Sequence, residues 1–175
     1  MMGPLSSRQS IHDAPWPRGV TFVELLTLII VILILVSVGV PRARDVIQGI
    51  RLRGAAWQLA GDLRLARQRA VTTQRRFRVC LTQCALSVPP GSYSMEVDVG
   101  TSGHANWISE TTAPVRLPLD VTVSATATPV FMANGMLDPS SGLGTTFTLT
   151  GSIGTYEVRV ASTGRVRVCQ GVCAP

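Results

Sequence analysis

From Phe22 to Val40 the chain holds only apolar or small side chains, with one exception, the carboxylate of Glu24. At about 1.5 Å per residue a helix of this length covers most of the roughly 30 Å hydrocarbon core of a bilayer. Such a segment must lie in lipid or against other apolar helices, so the rest of the chain has to fold beside it. An acidic residue costs roughly 2.5 to 3.5 kcal/mol at the centre of a membrane helix and less toward an end. Glu24 sits near one end and calls for a purpose or a partner.

The 175 residues leave room for one globular domain of about 100 residues after this segment. Every basic residue is Arg, and the charge is uneven. Between Arg42 and Arg78 ten Arg face only Asp45 and Asp62, a net of +8, whereas from Val79 onward four Arg face six acids, a net of −2. A basic segment of this kind attracts lipid headgroups, nucleic acid or an acidic partner protein, and composition does not choose among them. Four cysteines occur as two C-x3-C pairs, Cys80 with Cys84 and Cys169 with Cys173. They suit disulfides in an oxidising compartment, for which two local bridges are expected, with a four-cysteine zinc site as the rival.

Met1 to Gly19 contains three prolines and no amphipathic period, and reads as a leader. Beyond Pro41, which bends a helix or interrupts one hydrogen bond without ending it, the helical period resumes. Leu52, Ala56, Leu59, Leu63, Ala66 and Ala70 fall on one face, suited to close packing on a sheet; Arg53, Trp57, Arg64 and Arg75 lie away from it. The Arg residues there read either as a solvated face or as contacts to neighbouring subunits or an anionic ligand. At Arg76 the period changes to alternation. Phe77, Val79 and Leu81 line one face of a strand, and Arg76, Arg78 and Cys80 the other. Further strands are expected at Tyr93–Val99, Val121–Ser124, Val130–Ala133, Thr145–Leu149, Tyr156–Ala161 and Arg165–Cys169, with turns at Pro89-Pro90-Gly91, Asn134-Gly135 and Ser140–Gly144. His104 and Trp107 fall in a Gly/Ser/Asn-rich loop. The fold class is α+β, one long N-terminal helix packed on antiparallel β-sheets.

The C-terminal alternation defines a hairpin. Val158 and Val160 alternate with Glu157 and Arg159, and Val166 and Val168 alternate with Arg165 and Arg167. A three-residue loop, Ser162-Thr163-Gly164 with glycine left-handed, pairs Val160 with Val166 and Val158 with Val168. Arg159 then stands across from Arg167, with Arg165 two residues along. Like charges directly opposite cost up to about 1 kcal/mol, so either Glu157 intervenes as counter-ion, an external anion binds, or the face is simply solvated. Arg side chains roughly 6.6 Å apart along a strand suit bidentate contacts to successive phosphates. No paired-carboxylate motif, nucleophile elbow or phosphate-cradling loop is present, and no aromatic platform is evident near the hairpin. The chain does not read as an enzyme.

Gly19 followed by Val20-Thr21-Phe22-Val23-Glu24, with Pro41 beyond the apolar run, resembles the type IV prepilin signal. Asp62 to Leu81, Val130 to Gly135 and Ser162 to Cys169 resemble the minor pilins and pseudopilins grouped as GspH and FimT, and Gly164-Arg165-Val166-Arg167 resembles the G-R-x-R motif of FimT-type minor pilins. The resemblance implies a pilin-like fold and cleavage between Gly19 and Val20 by a prepilin peptidase, with N-methylation of the new terminus. It makes Glu24 the assembly contact to a neighbouring subunit's terminal amine. The implied organisation is a leader at 1–19, a transmembrane and assembly helix at 20–40, an amphipathic continuation at 41–75 and a β-rich periplasmic domain at 76–175. Arginines after the apolar run would by the positive-inside tendency keep that domain in the cytoplasm; the resemblance and the cysteines place it in the periplasm, anchored to the inner membrane.

Partners implied are other pilins or pseudopilins, the prepilin peptidase and double-stranded DNA, with no cofactor. For FimT-type members the motif implies DNA binding in natural transformation, carried here by Gly164, Arg165 and Arg167, to which the hairpin register adds Arg159. The alternative is a GspH-type minor pseudopilin of a type II secretion system that binds only proteins.

Overall fold

The computed structural model describes residues 19–100 and 104–173; the proposed leader before Gly19 lies outside them. One helix, α1 (Phe22–Thr73), is followed by β1 (Phe77–Cys80), β2 (Ser92–Asp98), β3 (Trp107–Ser109), β4 (Val115–Arg116), β5 (Thr122–Ala125), β6 (Val130–Phe131), β7 (Gly144–Gly151), β8 (Gly154–Ala161) and β9 (Val166–Gln170). The chain divides into two compact units, one ending at Pro41 and the other running from Arg42.

In the first unit Thr21 caps α1: its hydroxyl accepts from the Glu24 amide at 3.3 Å and its carbonyl from the Leu25 amide. The hydroxyls of Thr27 and Ser37 donate to the carbonyls of Glu24 and Ile34, at 2.9 and 2.8 Å. Both hydroxyls in the apolar run thus find a backbone acceptor, the arrangement that makes hydroxyls tolerable in lipid. Leu25 to Val36 are exposed, an apolar surface along the helix.

The second unit is a two-sheet assembly. One antiparallel sheet has the order β3-β2-β1-β6 with β4 pairing β2, and the other has the order β5-β7-β8-β9. All six residues of the expected apolar face of α1 are buried, joined by Ala55 and Ala60. Five of these eight side chains are Ala, so the helix axis can lie close to the sheets. Against it pack Phe77, Val79, Tyr93, Met95 and Phe131 from the first sheet and Phe147, Leu149, Val158 and Val160 from the second. Burial of this apolar surface is what holds the helix in place, at roughly 25 cal/mol per Å² removed from water. The helix ends where Gln74 turns left-handed (φ 54°) and its side-chain amide donates to the Val71 carbonyl at 2.7 Å.

Tyr93 adds a polar tie. Its hydroxyl donates to Asp62 Oδ2 at 2.5 Å, linking β2 to the helix, and burial followed by the adjacent carboxylate raises its pKa well above the ordinary tyrosine range.

Two departures from the expected strands stand out. Trp107 is not in a loop; it begins β3, which pairs with β2 through Glu96↔Ser109 and Asp98↔Trp107. At three residues, β3 is too short to show an alternating period, and the two-residue β4 shows none either. The strand expected at Val130–Ala133 stops at Phe131, because Met132 and Met136 close a turn around Asn134-Gly135 (Met132 amide to Met136 carbonyl, 2.8 Å). Within Ser140–Gly144, a short 3-10 turn at Pro139–Ser141 is capped by Asp138, whose carboxylate accepts from the Ser140 amide.

Candidate functional site

The C-terminal hairpin has the register read from its alternation. Val160 pairs with Val166, Val158 with Val168, and Arg159 stands across from Arg167. The Ala161 amide donates to the Arg165 carbonyl at 2.9 Å and the Gly164 amide to the Ala161 carbonyl at 2.8 Å, with Gly164 left-handed at φ 77°. That loop places Val160 and Val166 inward and buried, and Arg165 and Arg167 outward and exposed. Among the described residues neither the Arg165 nor the Arg167 guanidinium has a hydrogen-bond or ion-pair partner. Arg159 is half-buried on the same face. Glu157, opposite Cys169, accepts the Cys173 amide at 2.8 Å, so its carboxylate clips the loop that follows β9.

The base of the hairpin is held by helix α1 and by the turn after β6. Arg67 Nε donates to the Gly135 carbonyl at 2.9 Å, Arg64 Nη2 approaches the Val166 carbonyl at 3.5 Å, and the Leu137 amide donates to the Ser162 carbonyl at 2.9 Å. A side chain on Gly164 has no room: its Cβ would lie 2.1 Å from the Gly135 oxygen and 2.8 Å from Arg67 Nε. The three segments carrying the family resemblance therefore meet at one point, where Arg67, Gly135 and Gly164 touch. Gly164 acts by permitting this approach, and it is buried.

Both cysteine pairs close local disulfides, Cys80–Cys84 and Cys169–Cys173. No thiolate is left for the rival zinc site; in the one clustered ligand set among the described residues, Cys80 and Cys84 with Glu96, both sulfurs are joined in the bridge. Each loop is also clipped by a glutamate, Ala85 by Glu96 and Cys173 by Glu157.

A second cationic cluster, on β1, is not available for a ligand. Arg78 pairs with Glu96, which is fully buried, at 2.6 Å, and its guanidinium lies 4.3 Å from the Trp107 ring centre. Arg76 pairs with Asp98 at 2.5 Å and reaches Asp138 at 3.6 Å. At Asp98 burial opposes ionisation but is outweighed by the Gly100 and Asn106 amides and by Arg76, so its pKa is lowered; the Ser140 contacts and Arg76 lower that of Asp138. The cross-strand pairs Arg78↔Glu96 and Phe77↔Val97 fix these neighbours, a placement that alternation within β1 could not supply.

Gly19 and Val20 precede α1 and are exposed, and Glu24 lies in its first turn. These residues belong to the other unit from the hairpin.

A long helix, apolar in its N-terminal part and packed on antiparallel sheets in the rest, defines a pilin-like fold. A family model described as Type II transport protein GspH matches residues 55–164, and the chain belongs to that family. The fold is similar to the minor pseudopilin EpsH from the type 2 secretion system of Vibrio cholerae (TM-score 0.52, 12% identity, 69% of this chain and 97% of that one). It is likewise similar to E. coli GspH (TM-score 0.54, 10% identity, 70% and 89%). The type IV minor pilin FimU of Pseudomonas aeruginosa gives a TM-score of 0.47 at 21% identity, over 70% and 96%. No curated protein matches the sequence. The chain is thus a member of the GspH family with a pilin-like fold.

Proposed function

We propose that the chain is a minor pilin of a type IV pilus whose arginine hairpin contacts DNA phosphates without sequence preference, for uptake in natural transformation, and that it is not an enzyme. The observation that carries this reading is the outward pair Arg165 and Arg167, exposed and unpartnered among the described residues, beside Arg159 on the same face. Residues 1–19 are the leader, cut between Gly19 and Val20 by a prepilin peptidase, and 20–40 the transmembrane and assembly helix. Residues 41–75 continue the helix, and 76–175 form the periplasmic domain, joined to the inner membrane until assembly. Glu24, in the first turn of α1, meets a neighbouring subunit's terminal amine; that pairing offsets the cost of a carboxylate in an apolar helix.

A second reading, a GspH-type pseudopilin of type II secretion that contacts proteins only, is favoured by the description of the family whose model matches. The two separate when the full-length protein, held in nanodiscs of zwitterionic lipid, is titrated with duplex DNA over a salt series. Binding through phosphates gives a linear fall of log K with log salt, and replacing Arg165 and Arg167 with Gln lowers the slope by about 1.8, at about 0.9 per phosphate contact. A slope and affinity unchanged by that double substitution remove the hairpin from the interface. Absence of binding at low salt leaves the secretion reading.

A further inference from the structure

On α1, Arg53, Trp57 and Arg64 are separated by four and seven residues and so form one stripe along the helix. Two contacts fix what lies next to it. Arg64 approaches the Val166 carbonyl at the start of β9, and its Cζ is 6.0 Å from the centre of the Trp57 ring. Arg53 lines a cavity of about 540 Å³ together with Gln170 and Gly171, at the end of β9. The stripe and β9 therefore run side by side in opposite directions, each roughly 16 Å long.

The helix surface around Trp57 is open. Gly54 and Gly61, one turn to either side of Trp57, have nothing within 4 Å of where a Cβ would be, and Trp57 is 49% exposed. β9 is the edge of its sheet. Because Arg159 and Arg167 occupy a hydrogen-bonded position of the hairpin, as the Ala161–Arg165 and Gly171–Thr155 bonds require, the amides of Val168 and Gln170 point away from β8. A half-exposed indole, two guanidiniums and the outward amides of edge strand β9 thus lie along one side of the domain.

We propose that this surface is a track for single-stranded DNA, in which Trp57 stacks on an unpaired base and Arg53 and Arg64 take the flanking phosphates. Every base offers a π-face to an indole, but only when it is not enclosed between neighbours in a duplex. Positive charge without a carboxylate on the stripe complements the strand. The inference rests on the reading of the hairpin as a DNA contact and adds to it a preference for single over double strands, with Trp57 as the residue that sets it.

The test uses the full-length protein in zwitterionic nanodiscs, titrated with an oligo-dT strand and with a duplex of equal length. Wild-type protein is expected to bind the single strand more tightly, with quenching of tryptophan emission as the base stacks. Trp57→Ala is expected to lower single-strand affinity roughly five- to 100-fold and abolish most of the quenching, while duplex affinity changes less than two-fold. Trp57→Phe, which retains an aromatic face, should recover most of the single-strand affinity. If Trp57→Ala leaves single-strand binding unchanged while the Arg165/Arg167 double substitution weakens it, the track is refuted and the hairpin reading stands. Equal losses for single strand and duplex, or retained DNA affinity with loss of co-assembly with other pilins, would make Trp57 a packing or subunit contact and overturn the proposal. No DNA binding by the wild-type protein overturns both readings.

Discussion

Replacing Gly164 with Ala separates the two ways a glycine can matter in a binding motif. Its φ of 77° imposes a left-handed conformation that costs an L-residue roughly 1 to 2 kcal/mol. The added methyl would also overlap the Gly135 oxygen at 2.1 Å and crowd Arg67 Nε at 2.8 Å, both far inside contact distance. Neither atom is the loose end of a side chain: one is backbone, and the other is fixed by its hydrogen bond to that same carbonyl. Relief requires the two turns to part, with loss of the Arg67–Gly135 bond, worth roughly 0.5 to 1.5 kcal/mol. The sum is a destabilisation of about 1.5 to 3.5 kcal/mol, of the order of a 10 °C fall in Tm for a domain of this size. Gly171→Ala is the control. It has nearly the same φ, 74°, but nothing within 4 Å, so it carries the conformational cost without the clash. Thermal unfolding followed by near-UV circular dichroism, with both disulfides intact, should show Gly164→Ala losing about 0.5 to 1.5 kcal/mol more than Gly171→Ala. Equal losses would refute the close approach as the reason for glycine at 164.

The Arg76 cluster predicts a pH dependence. Asp98 and Asp138 have lowered pKa values in the folded state, so the stability they contribute is present above the unfolded value near 4 and is lost as pH falls through their folded values. Urea unfolding below about pH 4 should therefore show a steep loss, and Arg76→Gln should flatten it; an identical acid profile in the variant would count against the pairing. At the other end of the chain, replacing Gly19 with a bulky residue should leave an uncut precursor near 18.7 kDa in cells that contain the prepilin peptidase. Normal processing, seen by mass spectrometry of the mature terminus, would refute the cleavage position.

The parts of this structure that were legible in the sequence share a physical cause. Leu52 through Ala70 could be read because a helix face repeats over five turns, and all six residues are buried. The hairpin register could be read because two alternations converge on a glycine that only one loop length accommodates, which leaves no freedom to slip by one residue. What escaped reading depends on partners distant in sequence. Glu96 looks like an exposed strand residue, yet it is buried because Arg78, the Ala85 amide and the Trp107 ring close over that face of β1 and β2. Trp57 reads as lying off the core face, but its nearness to β9, through the Arg64 approach to the Val166 carbonyl, is set by sheet order, which periodicity along the helix does not carry.

The basic segment of α1 also divides by task once its neighbours are known. Arg67 holds the Gly135 turn, Arg69 pairs with Glu110, and Arg76 and Arg78 are bound to carboxylates on β2. Net charge over residues 42–78 therefore overstates the cation available to a ligand, since four of its ten arginines already serve the fold. Arg67 among them helps fix the base from which Arg165 and Arg167 project, while Arg69, Arg76 and Arg78 tie the end of the helix and β1 to β2 and Glu110. A ligand contact at the hairpin should accordingly be lost in two distinguishable ways. Substituting Arg165 or Arg167 removes phosphate contacts from an intact domain, whereas disturbing the Arg67–Gly135–Gly164 junction moves the whole hairpin and lowers stability with it.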